Sequence, residues 1–560
     1  MLSLRVNNQF IDLGDDTSIS WELRNPMFFD KGSRSYPFRI PTTPNNIKIL
    51  GFRHRIEGSS DPYQEFPCAI VFNGIDIFRG TLKFTVFNKE YYEGMVYENE
   101  GSFYYKSKNI NLWEVNLGEI WSHNEYYGLQ YINDCKNRFY PERNVAFPMI
   151  PNEFYLDPPT EDKKQKFINY YAEDGQIYEY TPKDSVNPAL GEHKNIIIPF
   201  VYFRHVLKMV LRNLGYSDGA VQDQVFSSDP TYNHLLIYNS LSCNNLCVEF
   251  PYDMGHIFLN LHIPKITILD FITAIESYFN CRFFVNDLEK TIRIIPLNQA
   301  VNNATAIDFS TGILIGQSIE LDDKTTGFKL TIPIDSSDDY LQDWAAAQEF
   351  YLKNLCSPVD SVGQLPAWPF VIVNNVRYVK SVNKFYRFLP DKTWFLDDWA
   401  FTALFSTKLI GDFTTDRDFA LGALKNAMPN STWENWYCPC GNKQREWMDI
   451  PFKIFFTKLS YLHGMFDYTA MTGTDSYENL YLWFNGANNV YERHHKDWLD
   501  FLSTTKVVKI QRIFSFKEIR DFDFSRKYLI GDNKFFIRRI QVTFKKDRIA
   551  PALMECLTVK

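Results

Sequence analysis

Apolar and polar residues alternate along about the first 130 residues of the chain, as they do in strands that bury one face. The clearest element is a hairpin centred on Asn73-Gly74, because this dipeptide readily adopts the positive φ angles of a type I′ turn. Gly80 stands where a bulge or a tight bend can form. The pattern predicts a meander whose strands cover residues 68–72, 75–78, 81–87 and 91–97.

A proline-rich stretch at residues 25–46 precedes this meander. Pro37, Pro41 and Pro44 fix their own φ angles and push the residues before them toward extended geometry. We expect an extended arm that either lies on its own domain or reaches a neighbouring subunit by strand addition. A short helix or turn is expected to begin at Pro44 and to continue to Gly51.

The apolar period changes to that of an amphipathic helix between Phe200 and Leu214, with Gly215 just beyond the end. A second helix is predicted over residues 268–279, with Thr267 and Asp270 as its capping pair. Strands at 281–285 and 291–295 follow it directly, so this unit is an α+β module without a crossover helix. A further helix is expected at 340–355, and β structure at 366–389 and 513–559, where residues 527–530 and 534–538 form a hairpin.

These patterns predict an α+β, β-rich fold, in which several small and mostly antiparallel β domains, barrel-like or sandwich-like, accompany a helix–hairpin module. Seven prolines between Pro141 and Pro188 mark an interaction loop or a flexible linker. The predicted parts are an N-terminal β-rich domain with the proline arm at 1–132, a proline-rich loop or insertion at 133–195, the α+β module at 196–340, a mixed aromatic-rich region at 341–510 and C-terminal β hairpins at 511–560.

Composition narrows the class of protein. The 560 residues include 59 Lys and Arg against 67 Asp and Glu, a net charge of −8, whereas dedicated nucleic-acid-binding domains are usually strongly basic. A hydrophobic content of 45% excludes wholesale disorder. Neither a secretory signal nor an apolar stretch long enough to span a membrane is expected from the sequence. Aromatic residues reach 17%, which is the unusual feature.

The cysteines do not predict a disulfide framework, because nine in 560 residues is sparse and odd in number. The pairs Cys438/Cys440 and Cys243/Cys247 could each supply half of a zinc site, completed by His494-His495. Neither pair has a second pair nearby with the usual spacing of zinc ligands. We therefore predict neither a metal site nor a cofactor.

Catalytic motifs are equally absent from the sequence, which contains no phosphate-binding GxxxxGK[ST], no HExxH and no GxSxG. No catalytic residues are predicted, and the chain is not expected to be an enzyme. One alternative is a tail-associated cell-wall hydrolase that uses carboxylates among Asp397, Asp398, Asp412 and Asp416, with tryptophans as sugar platforms. Another is a receptor-binding or glycan-binding protein whose exposed Trp and Tyr side chains stack on sugars.

Several segments resemble proteins of phage tails. Residues 268–295 and the helix ending at Leu214-Gly215-Tyr216 look like the helix–hairpin module of phage tail-hub and baseplate-hub proteins, and residues 522–544 are similar to their closing β domain. Residues 35–46 resemble tail proteins of phages and prophages of Bacteroides-type gut bacteria, crAss-like phages included.

The resemblance implies a structural virion component, assembled in the host cytoplasm, that forms an oligomeric ring connecting the tail to a spike, fibres or neighbouring rings. Its partners would be copies of itself and other tail proteins. DNA would pass transiently through the ring without sequence-specific binding, and the acidic net charge would suit such a conduit because carboxylates repel phosphates.

Loop aromatics are the predicted contacts of this assembly, since aromatic side chains are enriched in the buried centres of interfaces. The candidate interface residues are Tyr36, Phe38, Trp394 and Trp399.

Overall fold

The fold was analysed in a computed structural model of the chain. The structure describes residues 1–29, 32–53, 55, 64–98, 100–121, 125–148, 150–151, 167–169, 171, 198–238, 256–286, 289–314, 318–320, 359–361, 376–382, 384–388, 394–397, 454–462, 465–471 and 488–559. The predicted helix at 340–355 and most of the proline-rich stretch at 133–195 lie outside these residues.

The N-terminal part forms the predicted β structure. Its elements in chain order are β1 Leu2–Val6, β2 Gln9–Ile11, β3 Ile19–Arg24, β4 Arg34–Ser35, β5 Phe38–Pro41, α1 Pro44–Leu50, β6 Phe66–Phe72, β7 Ile75–Phe87 and β8 Tyr91–Glu98. The hairpin at Asn73-Gly74 is confirmed, with φ angles of 52° and 81°. Residues 75–87 form one strand rather than two, and Gly80 pairs regularly with Cys68. The register shift lies beside it at Ile77, between the pairs Ile70–Phe78 and Val71–Asp76.

The proline arm lies on its own domain along strand β5, which pairs with β8 of the same chain. Helix α1 begins as predicted, with Pro44 in its first turn and the Thr43 side chain accepting a hydrogen bond from the Asn46 amide. The Asn46 side chain is fully buried and donates to the carbonyl oxygens of Asp12 and Pro41, each at 2.8 Å. The arm is thereby held against the loop that follows β2.

The middle part contains the α+β module. Its elements are α2 Glu100–Asn109, β9 Glu119–Trp121, α3 Glu125–Cys135, β10 Val145–Ala146, β11 Ile150–Pro151, β12 Phe167–Ile168, β13 Phe200–Val201, α4 Phe203–Asn213, β14 Val221–Asp223, β15 Leu235–Ile237, β16 His256–Phe258, α5 Ile268–Tyr278, β17 Cys281–Asn286, β18 Thr291–Pro296 and α6 Leu297–Asn302. Helix α4 is confirmed, although it begins three residues later than predicted because Phe200 belongs to a strand. The Thr267–Asp270 capping box and the β17–β18 hairpin are also confirmed.

Aromatic rings fill the core of this module. Phe226 makes edge-to-face contacts with Phe203, Phe279 and Tyr232 at centroid distances of 5.0, 5.0 and 5.3 Å. Such pairs contribute about 0.5–1.5 kcal/mol each beyond the burial of their area. Part of the aromatic excess is thus ordinary core packing.

The remaining described elements are β19 Ala306–Asp308, β20 Ser318–Glu320, β21 Val376–Val379, β22 Lys384–Phe388, β23 Trp394–Asp397, β24 Ile454–Leu462, β25 Met465–Met471, a π-helix at Tyr491–His495, α7 Lys496–Thr504, β26 Val507–Arg512, α8 Phe516–Arg520, β27 Lys527–Ile530, β28 Asn533–Phe544 and β29 Ala552–Val559. The hairpin of β27 and β28 is confirmed. Strands β21 and β22 fall within the β structure expected at 366–389.

One large sheet joins the two ends of the chain. Within the described part, its continuous path runs β2-β1-β6-β7-β8-β4-β3-β28-β29-β26-β20, so strands from the N-terminal part pair directly with strands from the C-terminal part. The junction is the antiparallel pairing of β3 with β28, from Arg24–Arg539 to Ile19–Phe544. Trp21 of β3 is fully buried on the inner face and stacks on Phe78 with 4.5 Å between ring centroids.

The other face of the sheet carries the α+β module. Phe536 of β28 and Leu557 of β29 are buried in a small apolar cluster with Phe284 and Ile295 from the β17–β18 hairpin. Phe501 of α7 packs edge-to-face on Phe536 at 5.4 Å. The two hydrophobic cores on either side of the sheet therefore share the strands β28 and β29.

The described structure is α+β and β-rich, as predicted, with mostly antiparallel sheets. The division into parts at 1–132, 133–195, 196–340, 341–510 and 511–560 stays a prediction. Strands of the large sheet come from four of these five ranges, because β19 and β20 lie in the third and β26 begins in the fourth.

Gly94 offers a test of the packing around β8, since it pairs with Phe38 on one side and Phe84 on the other. A Cβ atom at Gly94 would lie 2.7 Å from the Lys83 carbonyl oxygen and 3.0 Å from the Phe84 ring. We expect Gly94→Ala to lower the free energy of unfolding by about 1–3 kcal/mol, the usual cost of overpacking. Denaturant unfolding of the wild type and the variant measures this difference in the free energy of unfolding.

Gly219 is the matched control, because nothing lies within 4 Å of the position its Cβ would take. Gly219→Ala should leave the free energy of unfolding within about 1 kcal/mol of the wild type. Equal stability of the two variants would contradict the packing described for β8.

Candidate functional site

The predicted interface residues do not share one environment. Tyr36 is 41% exposed, and its hydroxyl accepts a hydrogen bond from the Gln541 side chain at 2.8 Å. Trp394 begins strand β23, whose side-chain surroundings lie outside the described residues, and Trp399 lies outside them altogether. Tyr36 is accordingly the one of the four that the structure places at the surface.

Phe38, a second predicted interface residue, lies in the interior of its own domain. It is only 5% exposed and packs in the inner core of the large sheet. The reason is the alternation along β5, which turns Phe38 and Ile40 inward while Arg39 points outward beside Glu93 and Tyr91. Its side chain contacts its own chain, so a subunit-interface role for Phe38 could only be indirect.

The candidate residues of the hydrolase alternative are mostly not described. Asp397 ends strand β23, and Asp398, Asp412 and Asp416 lie outside the described residues. The cysteines of the two zinc candidates, Cys243, Cys247, Cys438 and Cys440, lie outside them too. Among the residues that the structure describes, no three potential metal ligands cluster together.

His494 and His495 are core residues of the π-helix. The His494 Nε2 atom lies 2.7 Å from the Tyr232 hydroxyl, and the His495 Nε2 atom lies 2.8 Å from the Tyr278 carbonyl oxygen. Burial, together with the neighbouring positive charges of Arg493 and His495, lowers the pKa of His494 to about 3. Both imidazoles are committed to hydrogen bonds that tie the π-helix to the α+β module.

An ion-pair network lies on the outer face of the large sheet, where β3 meets β28. Arg539 contacts Glu22 at 3.3 Å and Glu555 at 2.7 Å, and both carboxylates are nearly buried. Burial alone would raise the pKa of Glu22, but hydrogen bonds from Arg24 and Arg539 outweigh it and leave the pKa below its ordinary value. Because each buried charge is paired, this network adds no accessible reactive group.

The described surface contains a basic cleft. It has a volume of about 480 Å³ and lies between the outer face of the N-terminal strands and the α+β module. Among the described residues that line it, four are cationic and none is acidic; the cations are Arg5, Arg79, Lys106 and Lys290. No sequence motif marks this cleft, because its cations lie far apart along the chain.

The floor of the cleft is set by strand register. Ala69 of β6 lies opposite Arg5 of β1 on one side and opposite Arg79 of β7 on the other, so a small side chain separates two arginines. Asp76 accepts hydrogen bonds from both arginines, at 2.6 Å from Arg5 and 3.0 Å from Arg79. The arrangement can hold an anion in front of Ala69.

We compared the chain with known protein families, curated proteins and solved structures. No model of a known protein family and no curated protein matches the sequence. Among solved structures, the 43 kDa tail protein of prophage MuSo2 from Shewanella oneidensis matches at 6% identity and a TM-score of 0.32, over 99% of this chain and 96% of that one. A TM-score this low does not establish a common fold. In the described part, no helix is long and apolar enough to cross a membrane.

The buried histidines predict how stability changes with pH. An unfolded histidine has a pKa near 6.5, whereas the folded pKa of His494 is about 3 and that of His234 about 4. The unfolded chain therefore binds more protons below about pH 6.5, so stability is lost as the pH falls from there toward 3. Melting temperatures measured from pH 7.5 to 4.5 should decline.

His494→Gln separates this effect from general acid denaturation. Removing the titrating imidazole should flatten the decline between pH 6.5 and 4.5, even if the variant melts at a lower temperature throughout. An unchanged slope would show that His494 does not titrate as its burial implies.

Proposed function

We propose that this chain is a structural component of a phage tail. More specifically, it is a hub protein that forms a ring with copies of itself and connects the tail to a spike, fibres or a neighbouring ring. In this proposal its place is the virion, after assembly in the host cytoplasm, and it needs no cofactor. The proposal rests on the resemblance of four segments to tail proteins and on how these segments are arranged in the fold.

The observation that carries the proposal is the direct contact between two of the segments that resemble hub proteins, residues 268–295 and 522–544. Arg293 of the β17–β18 hairpin pairs with Asp523 of the C-terminal segment at 2.8 Å and reaches Ser525 at 3.2 Å. Burial would raise the pKa of Asp523, but the hydrogen bonds from Arg293 and Ser525 outweigh it and hold the pKa below its ordinary value. The hairpin and the closing β segment thus form one unit rather than two flexibly linked ones.

The fixed arrangement of the parts of the chain also supports the ring proposal. Both chain ends are fixed in one sheet by the pairing of β3 with β28, and the α+β module packs on that sheet through Phe536 and Leu557. A ring subunit must hold its neighbours at a fixed angle for the ring to close. A chain whose parts share strands satisfies this requirement.

Exposed apolar side chains supply surfaces for assembly. Single exposed apolar residues are common on monomers, so their number alone proves nothing. Within the described residues, the large exposed apolar side chains are Met1, Phe10, Tyr36, Phe52, Ile75, Val86, Ile307 and Ile513. Tyr36 is the one also expected from the sequence to lie at a subunit interface, which makes it the position to test.

The proposed assembly is tested on the purified full-length chain. We expect a concentration-dependent oligomer by light scattering and rings of defined symmetry in negative-stain images. A chain that remains strictly monomeric at every concentration, and that is absent from purified virions, would contradict the proposal.

Two substitutions at Tyr36 test the interface role. Tyr36→Glu should shift the oligomer toward monomer by at least about tenfold in the dissociation constant, because a charge would be buried at the contact. Tyr36→Phe is the matched control, since it keeps the aromatic side chain and removes only the hydroxyl that binds Gln541. If both variants lose assembly, or if neither does, the aromatic side chain of Tyr36 does not anchor the subunit interface.

A further inference from the structure

We propose that the basic cleft binds phosphate groups. It is formed by Arg5, Arg79, Lys106 and Lys290 around Ala69 and Pro67. This inference is independent of the proposed function, because a tail component can lack such a site and a chain that does not assemble can possess it.

Register creates the arginine pair. A two-residue turn at Asn73-Gly74 with regular pairing would place Phe78 opposite Ala69. The extra residue at Ile77 shifts the register, so that Ala69 faces Arg79 instead. The same shift sends Phe78 into the core, where it is 5% exposed, and leaves the Arg79 side chain 52% exposed on the outer face.

Asp76 fixes the two guanidinium groups in place. Its side chain is 16% exposed and contacts both arginines, whereas it is not among the residues that line the cleft. One carboxylate between two guanidinium groups restrains their rotamers and leaves a net positive charge. Because arginine presents five N–H donors in a planar fork, donors remain for a ligand after these contacts.

The opposite wall comes from the α+β module. Lys106 is exposed on helix α2, and Lys290 occupies the turn of the β17–β18 hairpin with a φ angle of 53°. Lys106 makes no ion pair with any residue that the structure describes. With four lining cations and Asp76 as the adjoining carboxylate, the cleft carries a formal charge of about +3 by this count, in a chain whose net charge is −8.

The chemistry of the lining favours phosphate over an acidic polypeptide. A bound peptide gains affinity chiefly by adding a strand at a sheet edge, but β1, β6 and β7 are each paired on both sides. The lining also offers little apolar area, since its described residues are mostly polar or charged. Phosphate needs neither feature, since arginine forks and lysine ammonium groups bind its oxygens directly.

The phosphate can belong to a nucleic-acid strand or to a free nucleotide. The cleft volume of about 480 Å³ exceeds what one phosphate fills and has room for a nucleotide-sized group. Phe10 lies opposite Arg5 in the register of β2 and β1 and is 55% exposed. An exposed aromatic ring beside a basic cleft is a suitable platform for stacking a base.

The test measures binding of four probes to the full-length chain: a short labelled single-stranded oligonucleotide, the corresponding duplex, ATP and a poly-glutamate peptide of equal charge. Fluorescence anisotropy is read at low and at physiological salt. We expect at least one phosphate probe to bind, with affinity falling as salt rises. Binding of an oligonucleotide but not of ATP assigns the phosphate to a nucleic-acid strand. Binding of ATP that displaces the labelled oligonucleotide assigns it to a free nucleotide.

Lys106→Glu is the decisive variant, because Lys106 is exposed on α2 and its replacement should not impair folding. It should weaken phosphate binding by about tenfold or more and lower the salt dependence. Lys108→Glu is the matched control, since Lys108 is exposed on the same helix but does not line the cleft.

Three results would overturn the proposal. They are no binding of any phosphate probe at low salt, equal weakening by Lys106→Glu and Lys108→Glu, and tighter binding of poly-glutamate than of the oligonucleotide. Circular dichroism of both variants confirms that folding is retained. None of these results bears on whether the chain forms rings.

Discussion

The pairing of β3 with β28 is the constraint on which the rest of the described structure depends. It brings residues 19–24 against residues 539–544, so that almost the whole chain lies between the paired strands. The entropy lost in closing such a loop grows only slowly with its length, and six consecutive residue pairs with a buried apolar inner face can offset it. Trp21 enters the inner core from this junction, while Glu22 joins the outer ion-pair network.

The two faces of the junction have different consequences. The inner face completes the core of the large sheet. The α+β module packs on the outer face of the same sheet through Phe536 and Leu557, and the Arg293–Asp523 pair ties it to the C-terminal segment. The module in turn supplies Lys106 and Lys290, which form the wall opposite Arg5 and Arg79 in the basic cleft. The proposed hub unit and the proposed phosphate cleft are therefore products of one docking arrangement.

Local signals predicted local structure well. Asn73-Gly74 specifies its hairpin through the backbone conformations it permits, and Thr267 with Asp270 specifies a helix start through reciprocal hydrogen bonds. Gly215, which follows the end of α4, adopts a φ angle of 95° as expected. These features need only a few consecutive residues, so one sequence suffices to find them.

Contacts between residues far apart along the chain could not be predicted from local sequence patterns. Residues 19–24 contain no signal that identifies a partner strand more than 500 residues away. The prolines around Phe38 interrupt the apolar pattern, so the sequence does not show that β5 turns this side chain inward. The cleft depends on a bulge at Ile77, whereas the sequence favours a bulge or bend at Gly80, and a shift of one residue exchanges the two faces of a strand. The sequence alone therefore gives no sign that Arg5 and Arg79 both lie beside Ala69.

Native-state hydrogen exchange tests the central claim, that the chain ends form one cooperative sheet. If β3 and β28 are paired as described, the amides of residues 19–24 and 539–544 will exchange with the same free energy of opening, near that of global unfolding. Rapid exchange of residues 19–24 while residues 539–544 stay protected would contradict the account, because the N-terminal strands would then open independently of the C-terminal ones.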